Sequence, residues 1–291
     1  MAQEKLTWQS KLVLLAVLPF AGTDVLLACF SRTAQTAPVA IWAVGLSALL
    51  GLVTWRLRAA TPAAAVTGAT ITASLMFSTA WLPYAPWHSA LTPTLAVSVL
   101  AFAATRVGRA KKERLGTAER RRGRSASQIV ANLGFAALVS SGPVHFWLLD
   151  CRWIPHHIGA QAPFLALALA ALAEAAADTV SSEIGQVLGG RPRMITTLRL
   201  VDAGKDGAVS LAGTLAGVVA AAGVAGAGSW ALRGDLTLFA VSSAGAVFGL
   251  FFDSLLGATL EEWGWLNNDA VNFLSTASAA GAALALLCAM H

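Results

Sequence analysis

Nine long apolar stretches, separated by short polar links, organise the chain. They run Lys11 to Phe30, Val39 to Leu57, Pro62 to Leu82, Leu91 to Val107, Ser127 to Leu149, Pro163 to Ile184, Asp206 to Ala231, Leu236 to Leu260 and Asp269 to Met290. Each approaches the roughly 20 residues that an α-helix needs to cross a hydrocarbon core about 30 Å thick. The ten-residue alternation of a membrane β-barrel is missing. The pattern therefore predicts an all-α, polytopic transmembrane helical bundle of about nine spans. The tightest link, Arg58-Ala59-Ala60-Thr61, joins the second and third.

Composition sharpens this picture by exclusion. Of 291 residues, 56% are hydrophobic and 12% charged, and the mean hydropathy is +0.66. A soluble domain carries about twice that charge, so a soluble enzyme is excluded. A disordered chain is excluded by the hydrophobicity, and a disulfide scaffold by having only Cys29, Cys151 and Cys288. Asp24 inside the first apolar stretch argues for a retained span over a cleaved leader.

Charge then sets orientation, because Lys and Arg are retained on the cytoplasmic side. Placing the Arg106–Arg124 segment inside puts the N-terminus inside too, with seventeen of the 20 Lys+Arg; only Arg32, Arg152 and Arg233 face out. The ten tryptophans and Tyr84 fall near predicted span ends, as an interfacial belt does. The Ala-rich composition fits a bacterial inner (plasma) membrane. The cluster Arg120-Arg121-Arg122 has no aromatic interleaving, so it reads as a contact for anionic lipid headgroups, with no nucleic acid expected. Gly213 and Gly217, and Gly245 and Gly249, have the spacing of closely packed membrane helices. Val66–Thr70 is similar to Leu211–Thr214, and Val130–Leu133 to Ala270–Phe273. The offsets, 145 (213 − 68) and 140 (272 − 132), would make an internal repeat parallel.

An ionisable side chain in hydrocarbon costs several kcal/mol, on the order of 3 for Asp at a span centre, so each one there is functional or paired. Five qualify: Asp24, Glu174, Asp178, Glu183 and Asp253. In this topology Asp178, Glu183 and Asp253 lie in the cytoplasmic halves of their spans. Asn132 and Asn272 share that level, as do Glu261, Glu262 and Asp269, and the loop bearing Arg191, Arg193, Arg199 and Lys205 closes over the same side. Carboxylates facing cations at a membrane surface suit Mg²⁺-dependent phosphate chemistry, in which one or two carboxylates and the substrate phosphates hold the ion and cations neutralise the rest. The turn Asp202-Ala203-Gly204-Lys205-Asp206-Gly207 offers backbone amides but is not a Walker A loop, which would end in Gly-Lys-Ser/Thr. On an intact helix Glu174, Asp178 and Ser182 share a face, while Glu183 lies about 140° from Asp178. Glu183 is then aimed at another partner, Arg199 or Lys205. Asp24 is expected to pair with a polar group such as Arg32.

Several ordered blocks carry a family resemblance. Ala177-Asp178-Thr179-Val180-Ser181-Ser182-Glu183-Ile184-Gly185, Gly204–Thr214, Asp253-Ser254-Leu255-Leu256-Gly257-Ala258 and Asn268-Asp269-Ala270-Val271-Asn272-Phe273 resemble the integral-membrane family that includes plant phytyl-phosphate kinase. So does Arg124-Ser125-Ala126-Ser127-Gln128-Ile129-Val130-Ala131-Asn132, and the likeness covers roughly residues 60–290. It divides the chain into residues 1–60, holding spans 1 and 2, and a family-like catalytic region, 61–291, with the basic loop 106–124. The resemblance implies transfer of a phosphoryl group from a nucleoside triphosphate, CTP or ATP, to an isoprenyl monophosphate. Its implied catalytic and metal residues are Asp178, Glu183 and Asp253. Asn132, Arg199, Lys205, Asp206, Ser210, Asn268 and Asn272 would bind cofactor and phosphate. Lys205 and Glu261 depart from the family's usual Thr and Gln, and an added cation and anion could compensate each other. The competing class is a transporter or flippase for an anionic lipid or small organic anion, which requires access from both sides.

Overall fold

A computed structural model describes residues 7–31, 33, 36–118, 123–150 and 161–290. They form eleven α-helices: α1 (Thr7–Phe30), α2 (Ala37–Arg56), α3 (Pro62–Ser78), α4 (Leu91–Arg106), α5 (Arg109–Leu115), α6 (Ala126–Ser140), α7 (Gly142–Asp150), α8 (Ala162–Leu188), α9 (Leu211–Ala231), α10 (Leu236–Leu256) and α11 (Asn268–Met290). A two-residue antiparallel ribbon, β1 (Arg193–Met194) and β2 (Ala208–Val209), closes the α8–α9 connection. The polytopic helical bundle is as the sequence predicts. By length and apolarity six helices can cross a membrane, or eight if each bent pair is one span, while the apolar helix α3 has 17 residues.

One of the two bent pairs breaks an expected span, Ser127 to Leu149, while the other bends just past the end of one, Leu91 to Val107, and local chemistry explains each. The α6–α7 stretch bends by 60°, because Ser141 is extended before the Gly142-Pro143 start of a new helix and Pro143 lacks the N–H that would continue the old one. The α4–α5 stretch bends by 67° at Gly108, whose φ is +61°. The seventh predicted span begins at Leu211 instead of Asp206, since the Ser210 hydroxyl accepts the Gly213 N–H and caps α9. Thr61 caps α3 the same way, and Ser125 with Gln128 forms a capping box on α6.

Helix α8 is the axis of the bundle. Its first half, Ala162–Ala173, is apolar on all faces, and its Ala166–Ala177 stretch is almost wholly buried, as expected of a helix surrounded by others. Helices α4, α6, α9, α10 and α11 pack around it. The glycine pairs make this possible: a Cβ on Gly213 or Gly217 would sit 2.6 Å from the Ser181 carbonyl or 2.8 Å from that of Ala177, and one on Gly245 or Gly249 would collide with α11. Small residues thus set how close α9 and α10 come to their neighbours. Helix α1 packs on α3, α6 and α11, and its Gln9 and Ser10 hydrogen-bond to Trp265, Asn267 and Asp269 just before and within the start of α11. Asp24 accepts from the Ser74 hydroxyl at 3.2 Å and the Gly142 N–H at 3.3 Å, so it joins helices; Arg32 lies outside the described residues. Cys29 and Cys288 are free thiols, and Cys151 is outside the described residues.

Candidate functional site

The C-terminal parts of α8 and α10 meet the N-terminal ends of α6, α9 and α11 at one end of the bundle and enclose a polar cavity with about 1230 Å³ of empty volume. Nine of the ten expected site residues line it: Asp178, Glu183, Asp253, Asn132, Lys205, Asp206, Ser210, Asn268 and Asn272. Arg199 does not. It lies exposed on the ribbon connection, where its carbonyl accepts the Met194 N–H and its neighbour Leu198 accepts from Arg193. Arg124, Gln128 and Glu261 also line the cavity without being among the expected site residues. The signal for the first two was the Arg124–Asn132 block; Glu261 is turned inward by a π-helical turn, Gly257–Glu261, that extends α10. Such turns are rare and concentrate at functional sites.

Asp178 on α8 and Asp253 on α10 lie within hydrogen-bonding reach of each other. One turn deeper, Glu174 is 1% exposed. Glu174 Oε1 and Asp253 Oδ2 are buried without a hydrogen-bond partner. A buried carboxylate oxygen left unpaired is costly; Asp253 lines the cavity, where a ligand can meet it, and Glu174 does not.

Glu183 behaves differently. Its Oε2 pairs with Lys112 Nζ at 2.5 Å, and the same ammonium donates to the carbonyls of Ala104 (3.0 Å) and Thr105 (2.9 Å). The expected partners, Arg199 and Lys205, are thus replaced by a lysine from the basic loop. Lys111 and Thr117 also reach α8, through the Val187 carbonyl and Gln186, so α5 is docked along the cavity rim. Lys205 pairs with Glu262 at 2.9 Å, not with Glu261, as expected from the paired departures.

Lys205 and Asp206 sit in a turn pinned to the end of α10. Gly207 holds φ +74°, and a Cβ there would lie 2.4 Å from that of Ala258. Protein packed against Asp206 pushes its carboxyl above the usual aspartate range; Glu262 pushes the same way and Lys205 opposes both. Ser210 is committed to its capping bond, and Asn132 donates its side-chain N–H to the Gln128 carbonyl at 2.8 Å, which leaves its oxygen available.

Among the described residues, the charged lining holds five carboxylates (Asp178, Glu183, Asp206, Asp253, Glu261) and two cations (Arg124, Lys205). No group of three or more His, Cys, Asp or Glu side chains there is arranged to hold a metal ion. Of the expected three-acid set, Glu183 is paired with Lys112, while Asp178 and Asp253 face each other. What remains fits Mg²⁺ in another manner: two adjacent hard-oxygen ligands, an unpaired Oδ2 and space for waters and phosphates.

Fold and cavity together define a polytopic helical membrane protein with an acid-rich polar chamber at one end of its bundle. The chain belongs to the integral membrane protein family DUF92, whose model matches residues 45–280. It is 34% identical to an uncharacterized membrane protein of Synechocystis over 199 residues, 66% of this chain and 70% of the relative. It is 42% identical to an uncharacterized membrane protein of Methanocaldococcus jannaschii over 108 residues, 37% of this chain and 45% of the relative. With Protein VTE6, chloroplastic, of Arabidopsis thaliana it shares 31% identity over 184 residues, 61% of this chain and 52% of that protein. The chain thus spans about half the length of the archaeal and plant relatives it matches. No solved structure matches it.

Proposed function

We propose that the protein is a Mg²⁺-dependent kinase that transfers the γ-phosphoryl group of a nucleoside triphosphate, CTP or ATP, to an isoprenyl monophosphate such as phytyl or geranylgeranyl phosphate. The observation that carries this reading is the meeting of Asp178 and Asp253 in one polar cavity, beside Arg124 and Lys205. An anionic triphosphate enters a chamber with five carboxylates and two cations only with divalent counter-ions. The resemblance to the family of plant phytyl-phosphate kinase supports the substrate class. The basic residues Lys111, Lys112 and Arg124 beside the cavity support a cytoplasmic site in a bacterial inner membrane.

Asp178 and Asp253 are the residues that would hold Mg²⁺, which would supply charge neutralisation for the donor phosphates. Arg124 and Lys205 orient the phosphates, and the amides of Asn132, Asn268 and Asn272 fix donor and acceptor. The lipid monophosphate, with a second pKa near 6, is already ionised at neutral pH. Its oxygen bonds to the γ-phosphorus as the bond to the β–γ bridging oxygen breaks, leaving prenyl diphosphate and nucleoside diphosphate. No protein nucleophile or general base is needed; positioning and charge do the work. A transporter would need a passage beneath the cavity, and the burial of α8 from Ala166 to Ala177 favours the enzyme. Purified protein incubated with Mg²⁺, each nucleotide and prenyl monophosphates is expected to yield prenyl diphosphate by mass spectrometry. Recovery of unchanged lipid with every donor would overturn the reading.

A further inference from the structure

A second cavity, with about 1010 Å³ of empty volume, lies between α2, α3, α4 and α6, and it shares Arg124 and Asn132 with the polar one. Its walls are mostly apolar and include many small residues, among them Gly51, Ala65, Gly68 and Ala101. Their hydroxyl-bearing neighbours are spent on their own helices: Thr72 donates to the Gly68 carbonyl, Thr94 to Ala90, Ser98 to Thr94 and Thr105 to Ala101. What these residues turn to the groove is therefore hydrocarbon.

The two ends differ. The inner end is formed by Thr72, Thr94 and Ala175, each 1% exposed. The outer end is cationic. Arg58 and Arg106 are exposed there, with Arg109 and Arg124 beside them. Arg106 stacks on Phe102, 3.5 Å from the ring centroid, and donates to the Leu57 carbonyl. Arg58 follows the last residues of α2 with φ +55°, at a position where helix ends usually carry glycine.

We propose that this groove holds the tail of a single-chain lipid phosphate monoester, its phosphate at the arginine lip where Arg124 and Asn132 open into the polar cavity, and that the closed end at Thr72 and Thr94 limits tail length. The identity of the lipid as kinase substrate rests on the proposed function; the site and its length limit do not. Charge complementarity selects the occupant, since an anionic head meets the arginines while the apolar walls receive its hydrocarbon tail. From Thr94 to Arg106 the groove follows α4 for twelve residues (106 − 94), about 18 Å. With C–C bonds near 1.5 Å at tetrahedral angles, an extended tail advances about 1.25 Å per bond, so about 14 bonds fill it.

The test uses the full chain in nanodiscs without nucleotide, and n-alkyl and prenyl monophosphates of increasing length that displace a fluorescent alkyl phosphate. Affinity should fall off tenfold or more beyond the groove's length. Thr94→Phe should move that limit to shorter tails by about one five-carbon unit, whose four main-chain bonds span about 5 Å, with short-tail binding unchanged. Arg106→Gln, at an exposed position, should weaken phosphate monoesters about tenfold and leave the matching alcohols unaffected. Affinity that ignores tail length, as for a lipid merely filling the gap, or equal weakening of alcohols and phosphates by Arg106→Gln, would overturn the proposal. Binding with a length limit but no phosphoryl transfer would keep the groove and remove the kinase. Diphosphate formation with length dependence unmoved by Thr94→Phe would do the reverse.

Discussion

Replacing Glu183 by Gln asks whether this residue holds an ion or a lysine. Lys112 is 1% exposed, and among the described residues Glu183 supplies its only counter-charge, beside the Ala104 and Thr105 carbonyls. Removing one partner of a buried pair costs about 3–5 kcal/mol. Two carbonyls remain on the ammonium and Glu183 borders the cavity, so the lower figure, about 3 kcal/mol, applies to Glu183→Gln. Lys112→Met removes the buried charge and lets cavity water reach Glu183, so its cost is the loss of the ammonium from the Thr105 carbonyl and from the Ala104 carbonyl, which keeps the Val107 N–H, about 1–2 kcal/mol. The double variant should be no less stable than Glu183→Gln alone, a coupling of about 2 kcal/mol. Melting followed by tryptophan fluorescence in detergent reads this directly. For a chain of this size the shifts correspond to roughly 6–12 °C down for Glu183→Gln and about half that for Lys112→Met. Unchanged melting in Glu183→Gln, or losses that add in the double variant, would refute the pairing and return Glu183 to the metal.

Asp178→Asn and Asp253→Asn should each lower phosphoryl transfer by about two to three orders of magnitude while leaving melting unchanged or raised, since each removes one member of a like-charged cluster; steady-state kinetics and melting on the same preparations check this. Gly207→Ala should destabilise by about 2 kcal/mol, because it loads a positive φ and drives a methyl into Ala258, and limited proteolysis should cut the 202–207 turn faster. Ser210→Ala, which removes the α9 cap, should cost about 1 kcal/mol in the same melt, with nucleotide affinity little changed.

Much of this architecture is legible in the sequence because a bilayer demands long apolar helices, and counting residues from span ends puts Asp178, Asp253, Asn132 and Asn272 at one level. The glycine spacings were readable for a similar reason: only Gly213 and Gly217 leave room for the α8 carbonyls. The interruptions were harder. Ser141-Gly142-Pro143 carries the signal of a break, yet it sits inside a run apolar enough to pass as one span. Pairings were least legible, since they depend on how helices rotate about their axes. Lys112 read as one charge among nine in a headgroup-facing loop, but α5 folds back and buries it against Glu183. The π-turn that brings Glu261 inward has no marker in composition or period.

The most direct measurement of the central claim is Mn²⁺ electron paramagnetic resonance on the purified chain with a non-hydrolysable nucleoside triphosphate. The account predicts one bound ion with ³¹P hyperfine coupling in the wild type, retained in Lys112→Met and lost when Asp178 and Asp253 are both changed to Asn. An equally strong ³¹P-coupled signal from that double variant would contradict it.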